Sequence, residues 1–296
     1  MANLSLSIGI LITNYNTWDL VDQCIQYNEK FCKTEIEKIV VVDDCSPTKN
    51  YHHFPDYVTV IRNETNLGYV KSINVGLKSL DTDIIVILDS DAYPLMNYVP
   101  IVRKKFEETP ALGMIGFKNV DEYNRHTGSY EPEPSILTLL LGQKLMQLYN
   151  RNFSNNDKIF LYSCSIALRK ECLDDIGGYD ENFDYLDADA DQCMRINRSK
   201  WRLIYEPEIV VHHKGGNSIS ANSKRVLMYY KSRWLVLKKF NKIKFIKMAK
   251  YLIISRLVAE YIFLEIFGRF IFKNHTIATD KISGRKSLIK YCYLNY

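Results

Sequence analysis

Carboxylates follow two apolar runs of this sequence at the points where buried strands would end. Asp89 and Asp91 form an Asp-x-Asp pair directly after residues 84–88, and Asp44 follows residues 39–43. Two carboxylates on a sharp turn bind hard cations such as Mg²⁺ or Mn²⁺, which bridge the oxygens of a diphosphate. The Asp-x-Asp pair therefore predicts a divalent-cation site.

A second group of polar residues suits a nucleotide. Thr13 and Tyr15 follow the first apolar run, while Asn66 and Gly68 precede a helical pattern. A hydroxyl and a ring hold a nucleoside, and a carboxylate such as Asp44 accepts the imide N–H of uracil or thymine. A glycine lets the backbone approach a phosphate or sugar. Each short motif is equally typical of a turn or helix cap, so the prediction depends on their occurring together.

Two later segments are rich in titratable side chains. Four carboxylates stand within residues 184–191, where mutual repulsion raises a carboxyl pKa toward the value that a general base needs. His213 and Lys214 precede a glycine pair at residues 215–216. A neutral imidazole completes a metal's ligand set, and a lysine neutralises phosphate. These segments predict a base, a further metal ligand and an anion contact.

The elements that would position these side chains alternate along the first half of the chain. Apolar β-branched runs are separated by helical patterns of about 10 to 15 residues, as in buried parallel strands joined by crossover helices. In such α/β sheets, ligands bind at the carboxyl ends of the strands. The sequence therefore predicts that the polar strand ends converge on one crevice.

Charge divides the chain into two regions. The 296 residues are 47% hydrophobic and 25% charged, which excludes disordered and fibrous classes. Residues 224–296 hold 17 Lys/Arg and 3 Asp/Glu, a net charge of +14, whereas residues 1–223 carry a net charge of −9. We predict an enzymatic domain of residues 1–223 and a basic amphipathic helical region of residues 224–296, with helices at residues 223–240 and 243–272.

Cysteine spacing and apolar runs bear on location. The seven cysteines form no Cys-x-x-Cys pair and no close Cys/His quartet, which favours a reducing compartment over a disulfide framework or structural zinc. Residues 1–15 lack the basic segment and cleavage site of a signal peptide, and no uncharged apolar run reaches about 18 residues. The sequence predicts a cytoplasmic protein without a membrane span.

Six motifs occur in a fixed order over about residues 6–240. They are Thr13-Asn14-Tyr15-Asn16, Asp43-Asp44-x-Ser46, Asn66-x-Gly68, Asp89-x-Asp91, Asp189-x-Asp191-x-Cys193-x-Arg195 and His213-x-Gly215-Gly216-x-Ser218. Together they resemble glycosyltransferase family 2, inverting enzymes of the GT-A fold, and especially its bacterial rhamnosyltransferase-like, cell-surface polysaccharide branch. The resemblance implies a Rossmann-like mixed α/β sheet flanked by helices, here with a C-terminal basic helical extension.

The resemblance also implies roles for single residues. Thr13, Tyr15 and Asp44 would hold the base and ribose of a nucleotide-sugar, with Asn66 and Gly68 completing the donor site.

In the same comparison, Asp89 would contact the ribose or the metal, and Asp91 and His213 would ligate Mn²⁺ or Mg²⁺. Lys214 would neutralise the leaving diphosphate. Asp189 would deprotonate the acceptor hydroxyl.

The implied function is transfer of a sugar, from a UDP- or dTDP-sugar, to a hydroxyl of a glycan or lipid-linked glycan. Ala188 replaces a glutamate that the family usually shows, so Asp187 and Asp191 stay open as alternative bases. An inactive scaffold that docks to a membrane or partner is the alternative function. The basic helices predict peripheral contact with an anionic membrane. Nucleic acid is not expected as a partner, since no recognised nucleic-acid motif accompanies them.

Overall fold

The chain forms two compact units. The computed structural model describes residues 5–49, 52–142, 145–146, 158–214, 222–272 and 275–296. The first unit combines residues 1–131 with 158–215, and the second combines residues 132–157 with 216–296. The division into functional domains at residue 223 stays a prediction.

The first four strands coincide with largely apolar, β-branched runs bounded by polar or turn residues. The strands described are β1 (Ile8–Asn14), β2 (Lys38–Asp43), β3 (Val58–Arg62), β4 (Ile84–Asp89), β5 (Tyr93–Pro94), β6 (Leu112–Val120), β7 (Tyr130–Pro132), β8 (Ile159–Leu161), β9 (Ser165–Arg169) and β10 (Arg202–His212). Nearly every residue of β1, β2 and β4 is buried, as expected for strands that are covered on both faces.

The helices separate these strands and then dominate the C-terminal part. Those described are α1 (Trp18–Cys32), α2 (Tyr69–Ser79), α3 (Val99–Glu108), α4 (Leu137–Leu141), α5 (Lys170–Ile176), α6 (Ala188–Ile196), α7 (Ser223–Lys239), α8 (Ile246–Ile271) and α9 (His275–Asn295). The three long C-terminal helices form the predicted basic helical extension.

Eight strands form one mixed sheet in the order β3-β2-β1-β4-β9-β6-β10-β5. β2 pairs in parallel with β1 and β3, β1 with β4, and β6 with β10, whereas β9 and β5 run antiparallel to their neighbours. The carboxyl ends of the parallel strands therefore meet at one edge of the sheet. This arrangement agrees with the predicted mixed α/β fold.

Helices cover both faces of the sheet. Ile8, Ile10 and Ile12 lie on one face of β1, in a buried cluster with side chains from α1 and α3. Successive strand residues point to opposite faces, so Leu11 points to the other face, where its side chain lies against Gly76 of α2. β1 is thus enclosed by apolar side chains, which fixes the position of its polar carboxyl end.

Two predicted elements differ from the structure. Residues 159–168 do not form one strand, because polar residues at 162–165 interrupt the apolar run: β8 pairs with β7 in a separate two-stranded sheet, while β9 joins the main sheet. The helix predicted over residues 192–200 begins at Ala188 and ends at Ile196.

The C-terminal helices agree with the two predicted from the sequence, and α9 is an addition. Sequence patterning missed α9 because its apolar residues do not form a stripe at helical spacing. Among the helices that the structure describes, each is too short or too polar to cross a bilayer.

Gly76 is a test of how tightly α2 packs on the sheet. A Cβ atom at Gly76 would lie 2.0 Å from Leu11 Cδ1, and Leu11 is fully buried. We expect Gly76→Ala to lower the free energy of unfolding by about 1 to 3 kcal/mol, measured by urea denaturation. Gly268→Ala, in α8, is the matched control: its nearest neighbours are 3.9 Å away. That change should be neutral or stabilise by up to about 1 kcal/mol. Equal effects of both substitutions would contradict the packing argument.

Candidate active site

Asp89, Asp91 and His213 meet at the carboxyl-end edge of the sheet. Each offers one potential ligand atom, and the three atoms lie within 4.8 Å of one another. The Nε2 atom of His213 lies 3.5 Å from Asp91 Oδ1. All three side chains are half-buried. The structure thus brings together the residues that the sequence predicted as a metal site, although His213 follows the two aspartates by more than a hundred positions in the chain.

A short antiparallel pairing produces this approach. After β4 the chain turns, and the N–H of Ala92 donates to the carbonyl of Asp89 at 2.9 Å. β5 then pairs with the end of β10, with Tyr93 opposite His212, and these two rings stack with centroids 4.5 Å apart. This pairing therefore places the Asp-x-Asp turn beside His213, the residue that follows β10.

The backbone of His213 is held on both sides. Its N–H donates to the carbonyl of Val120 at 2.8 Å. Its own carbonyl accepts a hydrogen bond from Thr127 Oγ1 at 2.8 Å. The imidazole consequently projects from a fixed position beside the carboxylates.

Burial sets the electrostatics of Asp89. The loss of solvent raises the pKa of its carboxyl, the neighbouring His213 opposes that rise, and Asp91 adds to it. The hydroxyl of Tyr69 donates to Asp89 Oδ1 at 2.9 Å and lies 3.2 Å from Ser163 Oγ. A divalent cation would offset the repulsion between the two carboxylates.

The donor set fits a hard divalent cation. Carboxylate oxygens suit Mg²⁺ and Mn²⁺, and an imidazole nitrogen is an accepted ligand of Mn²⁺ more readily than of Mg²⁺. Among the described residues, these three form the only group of this kind. Asp89, Asp91 and His213 are therefore the residues that would hold the ion.

The residues predicted to hold a nucleoside lie at neighbouring strand ends. Thr13 is opposite Asp89 in the β1–β4 register, so the first predicted donor residue is adjacent to the acidic turn. Tyr15 follows β1 and is 53% exposed. An exposed ring next to a strand end is available to stack on a planar group.

Asp44 organises the loop that carries Asn66 and Gly68. Its carboxylate accepts hydrogen bonds from the N–H of Leu67 at 2.7 Å, the N–H of Gly68 at 2.8 Å and the amide of Asn63 at 2.9 Å. Asn66 reaches back to the carbonyl of Asp44 at 3.4 Å. Asp44, Asn66 and Gly68 thus form one structural group, and a carboxylate with about four acceptor positions retains room for one further donor.

The structure distinguishes the carboxylates of the acidic segment. Asp189 is half-buried in the first turn of α6, where its Oδ1 accepts the N–H of Ala190 at 2.8 Å. Burial raises the pKa of the Cys164 thiol, and the charges of Asp89 and Asp189 both add to the rise. Asp89 and Asp189 therefore act electrostatically on the same thiol.

Asp191 has a structural position. It is fully buried, and its Oδ2 accepts a hydrogen bond from Arg195 Nε at 2.9 Å. Arg195 also donates to the carbonyls of Ile176 and Gly178, at 2.6 Å and 2.7 Å. Asp187 precedes α6 in a left-handed conformation with φ near 60° and is mostly buried. Of the three candidates for a base, Asp189 is the most accessible.

Lys214 pairs with Glu122, with Nζ 3.2 Å from Oε1, and not with Asp89 or Asp91 in the part of the chain that the structure describes. Both side chains are largely exposed, so the pair is easily exchanged for another anion. Residues 215, 216 and 218 of the predicted glycine-rich turn lie outside the described residues.

Sequence reasoning missed two contributors to the site. Tyr69 hydrogen-bonds Asp89, and Cys164 lies between β8 and β9, the two strands into which the predicted strand is divided. The available signal for Tyr69 was its place at the start of a helix directly after Gly68, which has φ of +87°. No comparable signal marks Cys164, since its position depends on the separation of β8 from β9.

A sequence model of one enzyme family matches the part of the chain that contains these strands. The model, described as Glycosyl transferase family 2, covers residues 9–177, more than half of the chain. The chain belongs to glycosyl transferase family 2. The match includes the strand ends that carry Thr13, Asp44 and the Asp-x-Asp turn, whereas Asp189 and His213 lie beyond it.

Curated relatives of this family 2 chain match it only in part. The pre-mycofactocin glycosyltransferase of Mycobacterium tuberculosis is 27% identical over 181 residues, 60% of this chain and 37% of that protein. An uncharacterized glycosyltransferase of Haemophilus influenzae is 30% identical over 112 residues, 36% of this chain and 37% of that protein. The chain thus spans little more than a third of the length of these relatives.

Solved glycosyltransferases share the fold at low sequence identity. The mannosyltransferase PcManGT of Pyrobaculum calidifontis superposes with a TM-score of 0.60 at 12% identity, covering 99% of this chain and 87% of that one. S. aureus TarS 1–349 superposes with a TM-score of 0.54 at 15% identity, covering 98% and 88%. The predicted GT-A fold is confirmed.

We expect Mn²⁺ to bind the family 2 chain through Asp91. Asp91→Asn should weaken Mn²⁺ binding by at least about tenfold, because removal of even an outer partner of a metal ligand has that effect. Calorimetric titration with Mn²⁺ measures it. Asp81→Asn removes the same charge from an exposed position outside the cluster and is the control. Equal affinity of both variants for Mn²⁺ would rule out the assignment.

Proposed function

We propose that this chain is a metal-dependent, inverting glycosyltransferase. It would move a sugar from a nucleotide-sugar, with a UDP- or dTDP-sugar favoured, to a hydroxyl of a glycan or lipid-linked glycan in bacterial surface polysaccharide synthesis. The observation that carries this proposal is the cluster of Asp89, Asp91 and His213 at the strand ends of a family 2 chain.

The donor site is argued from the strand ends. Thr13 and Tyr15 would contact the nucleoside, and the remaining acceptor position of Asp44 would receive the imide N–H of uracil or thymine. Two solved structures with the same fold support a nucleotide-sugar donor: TarS 1–349 was solved with UDP-GlcNAc, and PcManGT with GDP-Man and Mn²⁺. The preference for a pyrimidine donor rests on Asp44, because its one remaining acceptor position matches a single imide N–H, whereas guanine presents two adjacent donors, N1–H and N2–H.

The diphosphate would lie beside the carboxylates. A divalent cation, when bound, neutralises the charge that develops on the leaving diphosphate. Asp89, Asp91 and His213 would hold that ion, with Tyr69 fixing the orientation of Asp89. Lys214 would exchange Glu122 for a phosphate oxygen, as a surface ion pair allows.

Transfer would proceed as one displacement. The acceptor oxygen forms a bond to the anomeric carbon as the bond from that carbon to the diphosphate oxygen breaks, and Asp189 takes the proton of the acceptor hydroxyl. Attack from the face opposite the leaving group inverts the configuration. Positioning of the two reactants would supply much of the rate.

The alternative function is an inactive GT-A-like scaffold that docks to a membrane or partner. The replacement of the expected glutamate by Ala188 favours it, and the grouped ligands Asp89, Asp91 and His213 argue against it. Turnover separates the two functions: a scaffold would bind nucleotide or membrane without releasing nucleoside diphosphate from any donor.

We expect Asp189→Asn to retain donor binding and to lower the transfer rate by about 10²- to 10⁴-fold, because the amide keeps the shape but does not accept a proton. The assay screens UDP-, dTDP- and GDP-sugars with Mn²⁺, and measures released nucleoside diphosphate. Asp184→Asn, an exposed position in the same acidic segment, is the control.

If Asp189→Asn transfers sugar at the parent rate, the base is Asp187 or Asp191 instead. Asp191→Asn is informative in itself, since it breaks a buried ion pair and should reduce stability by about 3 to 5 kcal/mol. Loss of activity there without loss of stability would contradict its structural assignment.

We also propose that residues 1–223 carry the transfer chemistry and that residues 224–296 dock on the cytoplasmic face of an anionic membrane. α8 exposes a run of large apolar side chains at helical spacing: Met248, Tyr251, Leu252, Ile262, Ile266 and Phe270. Exposed lysines at positions 244 and 247 flank its start. An apolar face beside basic residues suits the headgroup layer of an anionic bilayer.

We expect Phe270→Glu to weaken binding to phosphatidylglycerol vesicles by at least about tenfold, because it replaces a side chain that is 87% exposed and available for insertion. Vesicle sedimentation at low and high salt measures binding, which should fall as salt rises. Tyr123→Glu, at a 70% exposed aromatic residue of the first unit, is the control. Negligible pelleting of the parent chain at low salt would overturn the docking proposal.

A further inference from the structure

A cavity within the second unit has a lining of mixed character. It encloses about 610 Å³ between α4, α7, α8 and α9. This volume is within the range of about 300 to 1,000 Å³ that small-molecule sites occupy. Much of its wall is apolar, and the side chains that form this part are Leu141, Leu145, Val226, Phe263, Leu264 and Phe272.

Cations are concentrated on the remaining wall. Arg256, Lys281 and Arg285 line the cavity with a single carboxylate, Glu260. Arg285 Nε donates to Glu260 Oε2 at 2.6 Å, and Arg256 donates to the other oxygen of the same carboxylate. Lys281 Nζ lies 5.2 Å from the centre of the Phe272 ring. The charged wall therefore has an excess of two positive charges.

The guanidinium of Arg256 retains donor capacity. It donates to the hydroxyl of Tyr230 and to Glu260, yet its Nε atom is buried and lacks a hydrogen-bond partner among the described residues. A buried donor without an acceptor is unfavourable. Nε itself has no exposed surface, so a ligand in the cavity would be met by the N–H groups of the two Nη atoms that remain beyond these bonds.

The chain comes close to this guanidinium at Gly142, after α4. Gly142 has φ of +83°, and a Cβ atom there would lie 3.2 Å from Arg256 Nη1. A larger residue would crowd the charged wall from that side. The left-handed glycine thus leaves space in front of Arg256.

We propose that this cavity binds an amphiphile that has a phosphate head and a hydrocarbon tail. The phosphate oxygens accept from Arg256 and Arg285, whose planar forks match phosphate geometry, and the tail lies against the apolar wall. Phe263 lines the cavity and is also half exposed on α8, so the apolar wall is continuous with the exposed apolar face of that helix. This binding does not depend on sugar transfer.

The phosphate head and the hydrocarbon tail of the proposed ligand each match one part of the cavity wall. A free phosphate would satisfy the cations and leave the apolar wall without a partner, whereas a neutral detergent would cover the apolar wall and leave the cations without an anion. A lipid phosphate monoester and an anionic phospholipid share the required chemistry, and they are separate arms of the test.

The experiment titrates the full chain calorimetrically, without metal or donor, with dodecyl phosphate below its micelle concentration. Dihexanoyl phosphatidylglycerol, inorganic phosphate and dodecyl maltoside are titrated in parallel. We expect dodecyl phosphate or the phosphatidylglycerol to bind at least about tenfold more tightly than inorganic phosphate and the maltoside. The tighter of the two lipids identifies the source of the phosphate.

Two kinds of variant locate the site. Arg256→Gln and Arg285→Gln should each weaken binding of the tighter lipid by about tenfold or more, because a charge-assisted hydrogen bond is lost. Lys290→Gln removes the same charge from an exposed position of α9 outside the cavity and should bind like the parent. Ala259→Phe keeps every charge but fills part of the cavity at an exposed lining position, and it should also weaken binding.

Several results would overturn the proposal. Equal affinities for inorganic phosphate and the lipids would reduce the site to an anion contact, and binding that is unchanged in both arginine variants would place the ligand elsewhere. Arginine effects without an effect of Ala259→Phe would indicate surface ion pairing. Thermal unfolding of each variant verifies that it is folded, and the four-ligand comparison on the parent chain stands even where a variant is not. Because no sugar donor is present, failure here leaves the transferase proposal intact.

Discussion

The pairing of two residues of β5 with the end of β10 is the contact on which the candidate site depends. Without it, the Asp-x-Asp turn would end at β4, which is separated from β10 in the sheet by β9 and β6. The pairing draws residues 91–94 across to His212, and His213 follows at once. Its few hydrogen bonds are supported by the stacking of Tyr93 on His212 and by the packing of Tyr93 against Tyr27, with centroids 4.2 Å apart. The candidate metal site is therefore assembled by side chains that are not among its potential ligands.

Aspartates of very similar sequence context have different physical roles here. Asp43 is fully buried and accepts from Asn14 and from Arg62, so it stabilises the junction of β1, β2 and β3. One residue later, most acceptor positions of the Asp44 carboxylate are occupied by N–H donors of the loop that contains Leu67 and Gly68. At Asp89, by contrast, burial raises the pKa of the carboxyl by more than its one tyrosine donor lowers it. A cation bound there would offset this unfavourable burial of the carboxylate.

The sequence predicted the parts of the fold that local patterns determine. β-branched runs located β1, β2 and β4, and the rule that ligands meet at parallel strand ends predicted the shared edge for Thr13, Asp44 and Asp89. Pairings between strands distant in the chain were beyond local patterning, as were the split of residues 159–168 and the hydrogen bond from Tyr69. The same limit applies to the acidic segment: Asp187, Asp189 and Asp191 have equivalent spacing, and the structural member is distinguished from the accessible one by its burial and its ion pair with Arg195.

The opposite charges of the two sequence regions impose different requirements on their ligands. In the proposed function, a nucleoside diphosphate that approaches residues 1–223 would meet a net charge of −9 and two adjacent carboxylates. Attraction would then have to come from a cation held at the site and from local donors rather than from the surrounding field. Residues 224–296, at +14, attract anions without a metal. There, discrimination has to come from apolar contact, because a basic surface alone attracts every anion. In the proposed lipid site, an apolar cavity wall beside paired arginines would supply that discrimination, since only a molecule with both a phosphate and a hydrocarbon chain satisfies the two surfaces together.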